Sequence, residues 1–195
     1  MLLALAAAVA VGWGFALPLA ALAAFFAFFF RDPRRTPPGD RDLVLSPADG
    51  RVLVAGPATA DAAPAGAWQQ ISIFLSPMDV HVNRIPASGR VTRVTYTPGR
   101  FLPAYRPDAT TANERSEVWI DHSGQTVVAR QIVGILARRV VCRVKSGAEV
   151  RAGDRFGIMK FGSRMDVFVP INATIKVSVG QTVRGGETVI AVLQS

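Results

Sequence analysis

A glycine–serine pair, Gly162-Ser163, interrupts a run of residues that otherwise predicts a buried strand. Glycine lets the backbone twist with no Cβ in the way, and the serine hydroxyl follows one residue after a carbonyl that it could attack. The pair therefore suggests chemistry on the backbone itself, with Ser163 attacking the Gly162 carbonyl. A β-bulge or a hairpin tip would use the same residue types, so the other parts of the chain must decide.

Side chains that bind zinc or form disulfides are scarce. The 195 residues include two histidines and a single cysteine, Cys142, which lies in an apolar segment typical of a strand. One cysteine cannot form an internal disulfide, and this set of ligands is too small for a dedicated zinc site. We therefore expect no metal.

The chain beyond Asp40 consists of short segments rich in Val and Ile, separated at regular intervals by Gly, Pro, Asp or Ser. This rhythm is typical of an all-β domain. No long amphipathic helix is predicted there, and residues 57–67 and 98–112 are predicted to be loops, the longer of them a candidate for function. The predicted strands are 51–54, 70–75, 89–95, 117–122, 126–132, 138–145, 155–160, 166–170, 174–179 and 188–193.

Two patterns occur twice. A Gly-x-x-Val-x-x-Gly-acid motif occupies 147–154 and 180–187, and Pro-Ala-x-Gly-Arg-Val occupies 47–52 and 86–91. Each predicts a turn that leads into a strand. Paired turns favour a mainly β fold, a quasi-symmetric β-sandwich or flattened barrel, with Gly162-Ser163 near the hairpin that joins the halves.

This arrangement resembles the biotinyl and lipoyl carrier domains, whose modified lysine lies on a hairpin between matching halves. Met159-Lys160 is similar to their Met-Lys pair. A membrane-anchored carrier or adaptor domain modified on Lys160 is therefore the alternative function. It leaves the N-terminal apolar run and the first hundred residues after it unexplained.

The N-terminal 30 residues carry no charged side chain, and the run ends at Arg31-Asp32-Pro33-Arg34-Arg35. It exceeds the roughly 20 residues that span a bilayer, and it lacks the basic start and short apolar centre of a cleaved signal peptide. We expect a retained membrane anchor at 1–30, as one helix or a helical hairpin, a basic juxtamembrane linker at 31–45 and a β-rich catalytic domain at 46–195. The arginines predict that this domain lies on the cytoplasmic side of the membrane.

The chain has a net charge of +8, from 22 basic and 14 acidic residues. A basic domain beside a bilayer attracts anionic head groups. The arginines are scattered and show no signature of a nucleic-acid-binding motif. We therefore predict an anionic membrane surface as partner, and no nucleic acid.

Five motifs in a fixed order extend from about Phe29 to the C-terminus. They are 29–35 (FFRDPRR), 46–50 (SPADG), 74–84 (FLSPMDVHVNR), 113–115 (NER) and 160–164 (KFGSR). In this order they resemble the short bacterial and archaeal type of phosphatidylserine decarboxylase.

The resemblance implies self-cleavage between Gly162 and Ser163, which gives a β chain of residues 1–162 and an α chain of residues 163–195. It further implies that Ser163 becomes a pyruvoyl group, the only cofactor. This group would form a Schiff base with the amine of phosphatidylserine and accept the electrons released with CO2, leaving phosphatidylethanolamine.

The resemblance also identifies further site residues. Histidine can exchange protons near neutral pH, and His81 matches a histidine of the family motif. Asp49 matches an aspartate that partners the histidine, while Arg84 stands where longer members carry a second histidine. We expect Asn113 and its two successors to shape the site, and His122 to be a solvated turn residue.

A third interpretation is a serine hydrolase that uses Ser163, His81 and Asp49 without self-cleavage. The chain lacks the Gly-x-Ser-x-Gly motif and the strand-to-helix setting of such enzymes. The sequence leaves open whether the protein forms a homo-oligomer.

Overall fold

The computed structural model describes residues 2–136, 139–159 and 162–194. The chain divides into two compact units, Met1–Arg31 and Asp32–Ser195. Lys160 and Phe161, which belong to the KFGSR motif, lie outside the described residues, and so does Arg138 at the start of one predicted strand.

The first unit contains one α-helix, α1 (Leu2–Phe29), with Pro18 inside it. Of the two arrangements that the sequence left open, the structure contains the single helix. A search of the described residues finds no helix with both the length and the apolar character needed to cross a membrane.

The second unit is mainly β, as predicted, and contains one short helix, α2 (Ala109–Ala112). Its strands are β1 (Leu43–Leu45), β2 (Gly50–Pro57), β3 (Trp68–Leu75), β4 (Val82–Arg84), β5 (Gly89–Thr97), β6 (Arg115–His122), β7 (Gln125–Ile132), β8 (Val141–Cys142), β9 (Glu149–Val150), β10 (Arg155–Ile158), β11 (Ser163–Pro170), β12 (Thr174–Ile175), β13 (Thr182–Val183) and β14 (Val189–Val192).

An eight-stranded sheet with the order β13-β2-β3-β11-β7-β6-β5-β9 dominates this unit. Its strand β11 pairs antiparallel with β3 on one side and with β7 on the other. Seven of the eight residues of β11 are buried, because both faces of the strand are covered. In β6, by contrast, buried and half-buried residues alternate strictly, as in a strand with one face on the core.

The repeated motifs occupy equivalent places. Val183 of β13 pairs with Gly50 of β2 at one edge of the large sheet, and Val150 of β9 pairs with Gly89 of β5 at the other. Two three-stranded sheets, β1-β14-β12 and β4-β10-β8, repeat the same relationship. The strands therefore follow a quasi-two-fold order, in agreement with the symmetry that the sequence predicts.

Most of the predicted strands are present, and the differences concern the lengths of three of them and several short elements. Within the described residues, the segments predicted at 138–145, 155–160 and 174–179 shorten to β8, β10 and β12. The short strands β1, β4, β9 and β13 and the helix α2 were not predicted, since segments of two to four residues carry no periodic pattern. Strand β11 begins three residues earlier than predicted, at Ser163 itself.

Candidate active site

Ser163 opens the central strand and lies opposite Leu75 of β3. Gly162 before it has a φ of +69°, a left-handed conformation that glycine adopts readily. Ser163 is fully buried, and its Oγ is without a hydrogen-bond partner among the described residues. Burying a hydroxyl without a hydrogen bond costs stability, so a contribution to the stability of the fold does not explain this serine.

A buried ion pair holds the strand immediately after Ser163. Arg164 Nε donates to Asp166 Oδ1 at 2.6 Å, and Arg164 Nη2 donates to Ser72 Oγ at 2.9 Å. The second oxygen of Asp166 accepts from Thr110 Oγ1 at 2.6 Å and from Gln70 Nε2 at 3.2 Å. Because these partners of Arg164 and Asp166 come from β3 and α2, this network fixes the register of β11 and the position of the bond before it.

His81 lies between β3 and β4, behind a tight turn. The turn is closed by Asp79, whose Oδ2 accepts from the Ser76 amide at 2.7 Å. The side chain of His81 is buried, and its carbonyl accepts from the Met159 amide at 3.2 Å. Strand β3 pairs with β11, and the segment after Met159 leads to Ser163, so the structure brings the two chain segments that carry His81 and Ser163 together.

Asp49 precedes β2 and has a different set of neighbours. Its carboxylate accepts from Arg35 Nη2 at 2.7 Å and 3.0 Å, and from the Gly185 amide at 2.7 Å. These contacts hold the N-terminal segment and the β13–β14 turn. A partnership between Asp49 and His81 stays a prediction.

Arg84, which the resemblance places where a second histidine was expected, forms an ion pair. Its Nη2 lies 2.7 Å from Asp32 Oδ1, and its Nη1 donates to the Gly153 carbonyl at 3.0 Å. The other oxygen of Asp32 lies 2.6 Å from Arg155 Nε. A guanidinium offers hydrogen-bond donors and no acceptor, and Arg84 uses its donors in these contacts, so it does not replace a histidine as a base.

Asn113, of the Asn-Glu-Arg motif, connects the long loop to the end of β7. Its Nδ2 donates to the carbonyls of Leu102 and Val133, each at 2.8 Å, and its Oδ1 accepts from the Leu102 amide at 2.9 Å. Every polar atom of this amide side chain is thus used. These contacts hold the long loop against the end of β7, and a role of the motif in shaping the site stays a prediction.

Sequence reasoning missed a buried amide pair. Gln131 Nε2 donates to Asn83 Oδ1 at 2.8 Å and to the Val141 carbonyl at 3.3 Å, and both side chains are fully buried. Gln131 lies opposite Met165 of β11, two residues after Ser163. The sequence offered only a weak signal, an amide beside Ile132 in a strand that also contains Gln125 and Arg130; once buried, such an amide has to find a partner.

The expectation for His122 was wrong. The side chain is buried at the end of β6, and its Nδ1 lies 2.6 Å from the Ser88 carbonyl oxygen. Asp121-His122-Ser123-Gly124 does form a turn, but alternation along β6 directs His122 inward.

Several groups outside the site have shifted pKa values, Cys142 and Glu187 among them. Burial raises the pKa of the Cys142 thiol, which disfavours the reactive thiolate. For Glu187, burial acts to raise the pKa, but hydrogen bonds from the Thr36 amide and Arg35 outweigh it and lower the pKa below its usual value. Among the described residues, no group of three His, Cys, Asp or Glu side chains could hold a metal ion.

Comparison with known proteins identifies the family. The family model for phosphatidylserine decarboxylase matches residues 22–191. The chain is 42% identical over 189 residues to the phosphatidylserine decarboxylase proenzyme of Wolbachia sp. subsp. Brugia malayi, with 94% of this chain and 82% of the relative covered. It is 46% identical to the proenzyme of Gluconobacter oxydans, with 89% and 79% covered. The chain therefore belongs to the phosphatidylserine decarboxylase family.

Proposed function

We propose that this protein cleaves itself between Gly162 and Ser163 and then decarboxylates phosphatidylserine to phosphatidylethanolamine and CO2. The observation that carries the proposal is the buried Ser163 hydroxyl, which has no hydrogen-bond partner within the described part of the chain and directly follows a left-handed glycine in a chain of this family. The carrier function gains no support from the comparisons, and Lys160, on which it depends, lies outside the described residues.

Self-cleavage needs groups of this chain and one water. Ser163 Oγ bonds to the Gly162 carbonyl carbon, the peptide C–N bond breaks, and the hydroxyl proton passes to the freed nitrogen. Loss of the Ser163 α-proton then breaks the Cβ–Oγ bond, which leaves Gly162 as a carboxylate and residue 163 as dehydroalanine. Tautomerisation and addition of water release ammonia and leave a keto group on residue 163. The products are the β chain, 1–162, and the α chain, 163–195.

The position of Ser163 fits a pyruvoyl group. Its Oγ has no hydrogen bond among the described residues, so removing the hydroxyl sacrifices none, and the fully buried position keeps bulk water away. When present, this group supplies an electrophilic carbonyl that withdraws electrons from the bond that breaks on decarboxylation. The chain itself has to exclude water and move protons.

His81 is the proposed acid–base residue, because an imidazole can give or accept a proton near neutral pH and because its segment adjoins that of Ser163. Asp49 is proposed as the third catalytic residue on its match to the family motif. Its contacts with Arg35 and Gly185 support a structural role equally well. An Asp49→Asn variant separates the two roles, since a catalytic role lowers activity at unchanged Tm whereas a structural role lowers Tm.

The proposal includes attachment to the cytoplasmic membrane, with the catalytic domain on the cytoplasmic side. Helix α1 carries no charged side chain and is followed by Arg31, Arg34 and Arg35, a pattern that favours this orientation. An anchored enzyme can take the head group of its substrate while the acyl chains stay in the bilayer. Protease digestion of sealed and opened membrane vesicles tests the assignment: cleavage of the domain from the outside of sealed inverted vesicles is expected.

An apolar lip on the catalytic domain supports a membrane surface as its partner. We define this lip as Tyr105, Ile135 and Leu136, whose side chains are largely exposed. The two loops that carry it are neighbours, because Asn113 bridges Leu102 and Val133. Exposed Arg106 beside the lip could meet lipid phosphates, since arginine buries its stem while its charge stays at the interface.

The quasi-two-fold order of the strands also supports a kinship of fold with the biotinyl and lipoyl domains. This kinship concerns architecture alone, and it adds no modification of Lys160 to the proposed function.

The intact mass of the denatured protein tests the proposed function. We expect two chains that divide after Gly162, the smaller being lighter than its serine-started sequence by the mass of ammonia. A Ser163→Ala variant is the control and is expected to stay whole. A wild-type chain that stays whole on prolonged incubation would overturn the proposal, and so would a smaller chain that starts with an unmodified serine.

A further inference from the structure

Gly134 lies two residues after β7, against the bond that is proposed to break. A β-carbon placed on it in ideal geometry would overlap the carbonyl oxygen of Gly162, far inside the 3.0 Å that real β-carbons keep from other atoms. The same β-carbon would lie 3.0 Å from the Gly162 carbonyl carbon and 3.5 Å from the Ala104 side chain. The carbonyl of the Gly162-Ser163 bond therefore packs directly on the Cα of Gly134.

Space, and not backbone conformation, explains the glycine at this position. Gly134 is absent from the residues with positive φ, so any L-residue could adopt its backbone conformation. Gly162, by contrast, has a left-handed φ but open space around its Cα. The two glycines thus serve one arrangement: Gly162 directs the carbonyl, and Gly134 leaves room for it.

Hydrogen bonds to both backbone groups of Val133 hold the segment that carries Gly134. The Val133 carbonyl accepts from Asn113 Nδ2 at 2.8 Å, and the Val133 amide donates to the Glu114 carbonyl at 3.1 Å. Asn113 is fully buried and has no unused polar atom. The backbone at position 134 therefore cannot shift to make room for a side chain without losing these hydrogen bonds. The Gly162 carbonyl would have to move instead.

We propose that Gly134 is a positioning residue for self-cleavage: its missing side chain provides the space that the Gly162 carbonyl oxygen occupies while Ser163 Oγ attacks. This inference rests on the proposed self-cleavage. During attack the oxygen takes up negative charge as the carbon becomes tetrahedral, and the Ser163 hydroxyl must meet the carbonyl at one angle. After cleavage Gly162 is a chain end and no longer constrained, so Gly134 acts in maturation and not in decarboxylation.

A Gly134→Ala variant tests this. The added methyl moves the carbonyl by about 1 Å, and a misplacement of that size costs on the order of 100-fold in rate. We expect self-cleavage, followed on denaturing gels after cell-free synthesis, to slow by at least about that factor. The decarboxylation kcat per cleaved molecule should equal that of the wild type, which a merely structural defect would not produce. Gly39→Ala and Val179→Ala, at uncrowded and exposed positions, should cleave normally.

Two further measurements separate positioning from folding and from later steps. In a Ser163→Ala background, which cannot cleave, adding Gly134→Ala should change Tm by less than about 5 °C. Hydroxylamine cuts esters, and we expect it to release no α chain from Gly134→Ala because the ester does not form. Three results would each overturn the inference: self-cleavage at the wild-type rate, a large loss of Tm in the Ser163→Ala background, or rapid release of the α chain by hydroxylamine. A wild-type chain that never cleaves would overturn the proposed function itself, which is a different outcome.

Discussion

Arg35 holds Asp49 through a single nitrogen, with Nη2 at 2.7 Å from one carboxylate oxygen and 3.0 Å from the other. Nη1 of the same guanidinium lies 3.3 Å from Glu187. The side chain of Arg35 is only 7% exposed, so this arginine of the basic segment is used within the domain. Arg34 beside it is exposed and free of this role. The two adjacent arginines thus offer a matched pair for mutation.

Arg35→Ala should destabilise the domain strongly. Removing one partner of a largely buried ion pair leaves Asp49 with an unpaired charge, which costs on the order of 3 kcal/mol. Chemical denaturation of a Ser163→Ala precursor measures the free energy of unfolding without interference from cleavage. The control Arg34→Ala should change it by less than about 0.5 kcal/mol. Equal, small effects of both substitutions would contradict the prediction.

Glu187 should make stability depend on pH. Its pKa is lower in the folded protein than its ordinary value, because hydrogen bonds from Thr36 and Arg35 outweigh the effect of burial. A lowered carboxylate pKa contributes stability above the unfolded pKa, and this contribution disappears as the pH falls through the folded pKa. The Tm of the wild type should therefore exceed that of Glu187→Gln near pH 7, and this difference should vanish toward pH 3. Glu149→Gln, at an exposed position on β9, is the comparison variant, and a Glu187→Gln difference that grows in acid would refute the assignment.

Asp166→Asn should impair both folding and maturation. The substitution leaves the Arg164 guanidinium in a buried site without its counter-charge, and a loss of about 3 kcal/mol is expected. Because this pair fixes the start of β11, self-cleavage should slow as well. Denaturation of a Ser163→Ala precursor measures the loss of stability, and gel analysis of the chain that keeps Ser163 measures the rate of self-cleavage. Asp121→Asn, at a half-buried position near the end of β6, should leave both unchanged, because an asparagine oxygen can still accept from the Gly124 amide. Normal cleavage by Asp166→Asn would show that the network does not position the site.

His81→Gln should lower kcat for decarboxylation by about 100-fold or more, the usual contribution of general acid–base catalysis. Assaying activity per cleaved molecule isolates this step from maturation, and the rate of cleavage of the same variant reports whether His81 also activates Ser163. His122→Gln is the matched control: it removes the other histidine, whose contact is with the Ser88 carbonyl, and should affect Tm but not kcat. Equal losses of kcat in the two variants would remove His81 from the catalytic residues.

Replacing an apolar residue of the lip by an acid should weaken membrane binding. Leu136→Glu places a negative charge on a surface proposed to meet anionic lipid, so sedimentation with vesicles that contain phosphatidylserine should fall several-fold. The measurement requires the whole protein, and Val179→Glu provides an equally exposed apolar position on another segment. If both variants bind like the wild type, the lip is not a membrane contact.

The long strands and the internal symmetry were predictable because their signals are local. Repeated turn motifs and runs of Val and Ile depend on neighbouring residues, and the quasi-two-fold order of the sheets follows from them. Ser163 was singled out because a Gly-Ser pair in an apolar run is unusual, but the five ordered motifs and not the pair alone led to its catalytic role, which stays a prediction. The start of β11 was placed too late because Ser163, Arg164 and Met165 have no strong strand preference. Pairing with β3 and β7 decides their conformation instead.

Contacts between distant segments could not be predicted in this way. Nothing in the sequence pairs Arg35 with Asp49 and Glu187, or places Gly134 on the Gly162 carbonyl. The inward direction of His122 was missed because a turn composition outweighed the alternation of the strand. In each case the decisive neighbour is far along the chain, and single-sequence patterns contain no information about it.

The position of β11 decides what becomes of the protein once it has been cut. The α chain begins with this strand, and both of its neighbours, β3 and β7, belong to the β chain. Strand β14 likewise pairs with β1, with β12 on its other side, and β13 pairs with β2. The α chain therefore contributes strands between and beside those of the β chain. It could separate only if the hydrogen bonds on both sides of β11 were broken. Maturation gives a heterodimer that never had to assemble from free subunits, and its two chains should melt as one.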